Sequence, residues 1–259
     1  MTFPRLSSIA AALALGSLPA FAAPPAELVV NGGFEQGTGL GQVGSIVSVP
    51  GWSQTDNNNF NFVLDTTADD GLANSGFNGG FTSVNSASLN TNIFVWGPDN
   101  GVNNGFTGSS NGGKFLGGDG GYATGAVQQQ INGLTAGHTY QLSFEWGGAQ
   151  FADVQGDFWV GWNVSFGSDS VSVGGPGSAV PSKGFLPWQS ESFTFTATSA
   201  SQWLSFLATG PAGLPPFSLL DGVSLVDTTP PVPEPSSLAL LLAGGLGLGV
   251  ALRRRAHRG

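Results

Sequence analysis

The sequence predicts an all-β protein, a β-sandwich with long loops rich in glycine and asparagine. Apolar residues alternate with polar ones over 140–146, 158–166 and 193–197, which is the period of a strand with one buried face. Glycine accounts for 42 of the 259 residues and charged residues for only 9%, a composition unlike that of helical proteins. Between the two ends of the chain, no segment has the 3.6-residue period of an amphipathic helix.

Shorter apolar segments between Gly, Asn and Ser turns raise the expected number of strands to about ten, which is typical of a sandwich. These segments are 28–30, 45–49, 60–64, 93–96, 127–131, 171–173, 203–207 and 223–226. Residues 65–121 are rich in Gly and Asn, but Phe and Trp recur among them. We therefore expect long ordered loops in this region.

The amino-terminal segment, residues 1–22, is predicted to be a secretory signal peptide containing a signal helix. Arg5 supplies a positive start, residues 9–18 an apolar core, and the small residue Ala22 a cleavage site before Ala23. A buried helix of a cytosolic domain is the alternative, and the order of charge, apolar stretch and small residues argues against it. Cleavage would leave an ectodomain over residues 23–227.

The carboxyl-terminal segment has three parts, a proline-rich spacer at 228–235, an apolar segment at 236–252 and a basic end at 253–259. The apolar segment predicts a short transmembrane helix, and the arginines predict that the basic tail stays in the cytoplasm. The residues that define the pattern are Pro233, Glu234, Pro235, Arg253, Arg254 and Arg255. The pattern resembles the PEP-CTERM sorting signal of Gram-negative bacteria.

That resemblance implies a processing partner, a membrane-embedded cysteine transpeptidase called exosortase, which recognises the tail and cuts it near the Pro-Glu-Pro motif. It further implies export, transient anchoring in the inner membrane, and a final place at the cell surface, in the outer envelope or in the extracellular matrix. A carboxyl-terminal anchor that is never processed is the alternative.

The charge balance of the ectodomain excludes several partners and sites. Between residues 23 and 229, two lysines stand against fifteen acidic residues, and the chain has no cysteine. Nucleic acid is therefore not an expected partner, because phosphate contacts require cations. Disulfides, thiolate metal sites and thiol nucleophiles are excluded as well.

Several short motifs of the ectodomain occur in an order that resembles the sequences of the galactose-binding-like jelly-roll sandwiches. This family includes many carbohydrate-binding modules. The motifs are the Asn-Gly-Gly-Phe-Glu turn that ends 28–35, Pro-Gly-Trp at 50–52, the turn and strand of 133–144, and Leu-Asp-Gly-Val-Ser-Leu at 220–225. The resemblance implies a jelly-roll fold. It makes binding of extracellular polysaccharide an expectation only, since this fold serves many functions.

Asp221 is the first candidate site residue. It is in phase with Val223 and Leu225, so a strand at 223–226 would point its carboxylate towards the core at the start of the strand. The resembling modules often hold a structural Ca²⁺ where the first strand ends beside the last one, which would pair Asp221 with Glu35 and backbone carbonyls; Ca²⁺ accepts such oxygen ligands. In the alternative, Asp221 accepts backbone N–H bonds in a turn and Glu35 is exposed.

Trp159 is the second candidate, as a ligand-binding residue. It is out of phase with Phe158, Val160 and Trp162, which predicts that its ring lies on the opposite and solvent-facing side of a strand. Exposed aromatic rings can stack on sugar rings. Coverage of Trp159 by a second layer or a long loop is the alternative.

Patterns typical of catalysis fail in this sequence. Residues 108–112 match G-x-S-x-G, but Gly/Asn loops flank them in place of the strand and helix of a nucleophile elbow. Asp153 and Asp157 would lie ~13 Å apart on one strand, which is too far for a glycosidase pair. His138 is the only histidine of the ectodomain. We therefore expect a protein that is not an enzyme.

Two functions fit these observations. The first is a surface-displayed or released module that binds extracellular polysaccharide, with calcium holding its loops. The second is a structural protein of a biofilm matrix without a specific ligand. A binding module needs aromatic and polar side chains fixed on one face, and a matrix protein does not.

Overall fold

The computed structural model describes residues 24–45, 47–55, 60–65, 95–97, 101–122, 124–152, 154–213 and 216–230. These residues form eleven strands, and none of them lies in a helix. The strands are β1 Gly41–Gln42, β2 Ser53–Gln54, β3 Asn61–Asp65, β4 Lys114–Asp119, β5 Val127–Asn132, β6 Thr139–Gln150, β7 Gly161–Phe166, β8 Asp169–Gly174, β9 Leu186–Thr196, β10 Ser201–Thr209 and β11 Pro216–Asp227.

Two antiparallel sheets pack face to face. The six-stranded sheet has the order β1-β3-β4-β11-β6-β9, and the five-stranded sheet has the order β2-β5-β10-β7-β8. Every neighbouring pair of strands in either sheet is antiparallel. The prediction of an all-β sandwich is confirmed. The predicted signal helix and transmembrane helix lie outside the described residues.

Aromatic side chains fill the space between the sheets. Trp162 and Phe206 of the five-stranded sheet pack with their ring centroids 6.1 Å apart, and Phe206 packs edge-on against Phe144 of the other sheet at 5.2 Å. The indole N–H of Trp162 donates to the carbonyl of Leu219, 3.0 Å away across the interface. That bond satisfies the single polar group of a ring that is otherwise buried in apolar surroundings.

Some predicted strands have different bounds in the structure. The strand predicted at 158–166 begins only at Gly161, because β10 ends at Thr209 directly opposite it and leaves earlier residues without that neighbour. Phe158 instead makes an isolated bridge to Val180. The segments 28–30 and 45–49 are not strands, although each lies beside a single isolated bridge.

A third layer covers the outer face of the six-stranded sheet. We call residues 101–113 the cover loop. Its Phe106 packs edge-on against Phe115 of β4, with ring centroids 6.3 Å apart, and against Phe185 at 5.2 Å. Trp188 of β9 donates its indole N–H to the carbonyl of Thr107, 2.9 Å away. This second apolar cluster, separate from the main core, holds the cover loop in place.

The amino-terminal segment runs antiparallel beside the second half of β11, beyond the end of its pairing with β4. The N–H of Leu28 donates to the carbonyl of Leu225 at 3.0 Å, and the N–H of Val223 donates to the carbonyl of Gly32 at 3.0 Å. A Cβ atom added to Gly32 would lie 1.8 Å from the carbonyl oxygen of Val223. Only glycine allows this close backbone approach.

We predict that Gly32→Ala lowers the free energy of unfolding by about 2 to 4 kcal/mol, because either backbone must move to admit the methyl group. The matched control is Gly177→Ala. Gly177 has no atom within 4 Å of an added Cβ, so that variant should stay within about 0.5 kcal/mol of the wild type. Urea unfolding of both variants measures the difference. Equal stabilities would show that the backbones of Gly32 and Val223 do not approach this closely in solution.

Candidate functional site

Asp221 lies where the pairing of β11 with β6 becomes irregular. Asp221 pairs with Glu145, and the next pair along the strands joins Ser224 to Ser143. Two residues of β11 thus oppose one residue of β6, which is a β-bulge. Since directly paired residues share a face of the sheet, Asp221 points to the same side as Glu145.

The prediction that Asp221 points into the core with Val223 and Leu225 is therefore wrong. Val223 and Leu225 belong to the main core, whereas the bulge turns Asp221 to the outer face, where it is fully buried against the cover loop. Asp221 also does not start its strand, which begins at Pro216. The bulge keeps the carboxyl group out of the apolar core, where an ionised carboxylate would be costly.

The cover loop supplies hydrogen-bond donors to the acidic residues of this region. The hydroxyl of Ser109 donates to Asp221 Oδ2, and the N–H of Gly222 donates to Asp221 Oδ1 at 2.7 Å. Glu145 accepts from the N–H of Ser110 at 2.9 Å and from the amide of Asn111 at 3.1 Å. The segment that matches G-x-S-x-G thus binds two carboxylates of the sheet.

Glu35 lies close enough to Asp221 for its negative charge to act on that carboxyl group. A Cβ atom on Gly33 would lie 3.6 Å from Asp221 Oδ1 and 3.9 Å from Glu35 Cγ, so the two acidic residues flank Gly33. Glu35 is exposed, and its Oε1 accepts the N–H of Lys114 at 2.7 Å. Phe34 has a φ of 57°, unusual for an aromatic residue, and this conformation lies within the turn that brings Glu35 to β4.

Burial raises the pKa of Asp221 from its usual 3.8 to about 7. Hydrogen bonds from Ser109 and Gly222 act against this increase, and the negative charges of Glu35 and Glu145 add to it. A carboxyl group with this pKa is protonated over much of the range below neutral pH. It can then donate a hydrogen bond as well as accept one.

Sequence reasoning missed Glu145 and the serines of the cover loop. Glu145 alternates with the core residues of its strand and therefore looked like an ordinary exposed side chain. Only its pairing with Asp221 marks Glu145 as part of the site, and a sequence does not show that pairing.

Over the described ranges, no three acidic or histidine side chains lie close enough together to hold a metal ion.

A second region is the outer face of the five-stranded sheet, which we call the amide face. Its strand residues alternate with the buried core residues, as the pairing requires. They are Ser53, Gln128, Gln130, Asn132, Asn163, Ser165, Ser170, Ser172, Ser201, Trp203, Ser205, Leu207 and Thr209. None is charged, in a chain whose net charge is −9.

Trp203 stands on this face with 45% of its surface exposed, directly opposite Gln130 on β5. The side-chain amides of Gln128 and Gln130 make no hydrogen bond to any residue that the structure describes. A cavity of about 420 Å³ adjoins the edge of the face, and its lining includes Trp52 and Ser53. The amide face therefore offers an aromatic ring, hydrogen-bonding groups and a recess, without charge.

Trp159 is half-buried and lies before β7, not within it. Its neighbours Phe158 and Val160 are both buried in the main core. The carbonyl oxygen of Trp159 lies 3.4 Å from where a Cβ of Gly210 would be, so the residue lies beside the end of β10. The role of Trp159 in binding a ligand stays a prediction.

The exposure of Trp203 could have been predicted from the sequence, because Trp203 alternates with the core residues Leu204 and Phe206.

The residues assigned to export and sorting, Ala22, Ala23, Pro233, Glu234, Pro235, Arg253, Arg254 and Arg255, lie outside the described residues. In the part of the chain that the structure describes, no helix has the length and apolar character to span a membrane.

We predict that the stability of the protein falls as pH rises from about 4 to 7. In this window the folded protein keeps the Asp221 proton, which the unfolded chain has already lost. The contribution amounts to up to roughly 4 kcal/mol, and Asp221→Asn should abolish it while keeping the shape of the side chain. Thermal unfolding at several pH values provides the measurement.

The control for this experiment is Asp169→Asn, which removes an exposed carboxylate at the start of β8. It should keep the wild-type dependence on pH. If Asp221→Asn and the wild type show the same pH profile, the carboxyl of Asp221 is not the group that titrates in this window.

Comparison with known proteins identifies one segment. The family described as the PEP-CTERM protein-sorting motif matches residues 231–255, which confirms the predicted sorting signal. No curated protein sequence gives a significant match.

Several solved structures are similar to this chain, and they include carbohydrate-binding modules with a β-sandwich fold. TmCBM61 in complex with β-1,4-galactotriose has a TM-score of 0.40 and 14% identity, covering 78% of this chain and 99% of that chain. The CBM22-1 xylan-binding domain from Paenibacillus barcinonensis Xyn10C has a TM-score of 0.39 and 11% identity, covering 80% and 98%. An arabinose-bound α-L-arabinofuranosidase, MgGH51, has a TM-score of 0.41 and 13% identity, covering 78% of this chain and 26% of that chain.

The sequence match and the fold together describe a β-sandwich that is followed by a short carboxyl-terminal sorting segment. The chain carries a PEP-CTERM protein-sorting motif and is an exported protein that is sorted by way of the membrane.

Proposed function

We propose that this protein is a non-catalytic module that binds extracellular polysaccharide on its amide face. The observation that carries the proposal is the exposed Trp203 among uncharged amide and hydroxyl side chains. The C–H groups of a sugar ring pack on an indole, and its hydroxyls pair with amides such as those of Gln128 and Gln130. None of the strand residues of this face is charged, although the chain as a whole carries a net charge of −9.

The rigidity of the face supports the same function. Trp203 belongs to the middle strand of the five-stranded sheet, and hydrogen-bonded strands lie on both sides of it. Its neighbours Leu204 and Gln202 are buried, which fixes the backbone around it. A ligand that stacks on a ring already held in place loses less conformational entropy on binding.

The sorting motif supports a function outside the cytoplasm, because it indicates export by way of the membrane. Processing by exosortase near Pro233, Glu234 and Pro235 would release the sandwich from its membrane segment and leave it at the surface or in the matrix of a Gram-negative bacterium. A polysaccharide-binding face is useful in that location, where such polymers surround the cell.

We predict that Trp203→Ala weakens binding of the full chain to neutral polysaccharides by about tenfold, because the stacking surface is lost. Affinity electrophoresis in gels containing galactan, xylan or β-glucan measures the effect. Tyr122→Ala is the matched control, since Tyr122 is also exposed but packs against Phe60 of the second apolar cluster. Trp159→Ala tests the second aromatic candidate in the same gels.

Two results would contradict this proposal. If no polysaccharide retards the wild type, or if Trp203→Ala migrates as the wild type does, the amide face is not a binding face. The structural matrix protein without a specific ligand then becomes the better description.

We also propose a structural Ca²⁺ held by Glu35 and Asp221, the site implied by the resemblance to carbohydrate-binding modules. Its support is the approach of the two residues around Gly33, with the negative charge of Glu145 nearby. Carboxylate and carbonyl oxygens are ligands of the kind that Ca²⁺ takes. The donors that now occupy these carboxylates would have to give way to the ion.

The expected result is that Ca²⁺ raises the midpoint of thermal unfolding of the full chain and that a chelator lowers it, because the ion binds only the folded state. Bound Ca²⁺ should also remove the fall in stability between about pH 4 and 7, since it favours the ionised Asp221. Asp221→Asn and Glu35→Gln should each lose the response. Identical midpoints with Ca²⁺ and with chelator would rule out the site.

A further inference from the structure

Lys183 is one of only two lysines in the ectodomain, and it is held in an unusual conformation. Its φ is 63°, the left-handed region that a lysine rarely adopts, although a glycine follows it at position 184. Such a backbone costs about 1 kcal/mol or more and is found preferentially at functional sites. The chain therefore keeps a long cationic side chain where glycine would fold more easily.

Two buried or half-buried amides fix this conformation. The side chain of Gln150, which is fully buried, accepts the N–H of Lys183 at 2.8 Å. Asn104 of the cover loop donates to the carbonyl of Lys183 at 2.8 Å and to the carbonyl of Trp96 at 2.8 Å. Lys183 and Trp96 are thus tied to the same two polar residues, because the N–H of Trp96 also donates to the carbonyl of Gln150.

The ammonium group of Lys183 lies over the ring of Trp96, 4.4 Å from the ring centroid. The indole N–H of Trp96 donates to the carbonyl of Val154 at 2.7 Å, which holds the ring in place. The cation–π contact positions the ammonium without neutralising it. Over the described ranges, no acidic side chain forms an ion pair with Lys183, and no residue accepts a hydrogen bond from its Nζ.

We propose that Lys183 and Trp96 form a binding site for a single anionic group, a carboxylate or a sulfate, on a sugar residue of an otherwise neutral polysaccharide. The Lys183 ammonium would contact the anion directly, and Trp96 acts as a positioning residue. A polymer charged at every residue fits less well, because the fifteen acidic residues of the ectodomain would repel it.

This site is separate from the amide face. Trp96 and Lys183 lie with the layer that covers the six-stranded sheet, next to Val95 and Phe185 of the second apolar cluster. The amide face belongs to the five-stranded sheet. The inference takes its ligand class from the proposed function, yet the two sites are tested by different variants and different ligands.

The experiment compares methyl β-D-glucuronide, glucose 6-sulfate and methyl β-D-glucoside as ligands of the full chain, using saturation-transfer NMR. The glucuronide or the sulfate should bind, and the glucoside should bind at least about tenfold more weakly, because a charge-assisted hydrogen bond is missing. Added salt should weaken only the binding of the anionic ligands.

Lys183→Asn removes the charge and tolerates the left-handed backbone, so it should fold as well as the wild type while losing the preference for anionic ligands. Trp96→Leu should reduce that preference by releasing the ammonium. Lys114→Gln removes the other lysine of the ectodomain and should leave the preference unchanged.

If neither anionic ligand binds better than the glucoside, or if Lys183→Asn retains the preference, the proposal is overturned and Lys183 only fastens the covering layer. Loss of neutral polysaccharide binding in Trp203→Ala would still support the proposed function in that case. Binding of the glucuronide without any binding of neutral polymers would instead support the Lys183 site and contradict the amide face.

Discussion

The β-bulge of β11 is the constraint on which the rest of the structure depends. Before the bulge, Phe217 and Leu219 face the covering layer and Leu220 faces the main core; after it, Val223 and Leu225 face the core. In a regular strand, Leu219 and Leu225 would share a face. The bulge therefore turns Val223 and Leu225 into the main core, and Asp221 lies at the point where the two faces of the strand exchange.

That exchange explains why the buried carboxyl is tolerated. Asp221 falls on the outer face, where the cover loop meets it with a hydroxyl and Gly222 meets it with a backbone N–H. Asp221 and Glu145 both accept hydrogen bonds from the short segment Ser109–Asn111 of the cover loop, and these donors are neutral. The remaining repulsion adds to the effect of burial in raising the pKa of Asp221.

The sequence predicted the sandwich because alternation is a local property. Residues 140–146 and 203–207 alternate as they do because one side of each strand is buried. The direction of Asp221 could not be predicted in this way, since a bulge is defined by the partner strand and leaves no mark in the spacing of apolar residues. The covering layer was equally hidden, because its Phe106 meets Phe115 and Phe185 only after the sheet has formed.

The candidate sites also differ in how far local sequence patterns reveal them. The resemblance implied a calcium site of Glu35 and Asp221, which stays a prediction, and the orientation predicted for Asp221 was wrong. Trp203 was within reach of the sequence, because its neighbours Leu204 and Phe206 alternate with it; Trp159 has the same pattern, so alternation alone does not separate the two rings. The contact between Lys183 and Trp96 joins distant parts of the chain and depends on Gln150 and Asn104, so only the structure reveals it.

The two ends of the described chain lie side by side on the sandwich. Glu27 bridges to Val226 in antiparallel fashion, so the first and last described residues leave the sandwich at the same end. At that end, His138 Nδ1 lies 2.7 Å from Asp227 Oδ2, and the N–H of Thr228 donates to the carbonyl of Thr139 at 2.9 Å.

These bonds fasten the chain within a few residues of the sorting motif at 231–255. Burial acts to raise the pKa of Asp227, but hydrogen bonds from His138 and Thr229 outweigh it and hold that pKa below its usual value. The stabilisation that comes from the lowered pKa of Asp227 is therefore lost in acid, as Asp227 becomes protonated. Because β11 ends at Asp227, the sorting motif at 231–255 lies after every strand that the structure describes and after both apolar clusters.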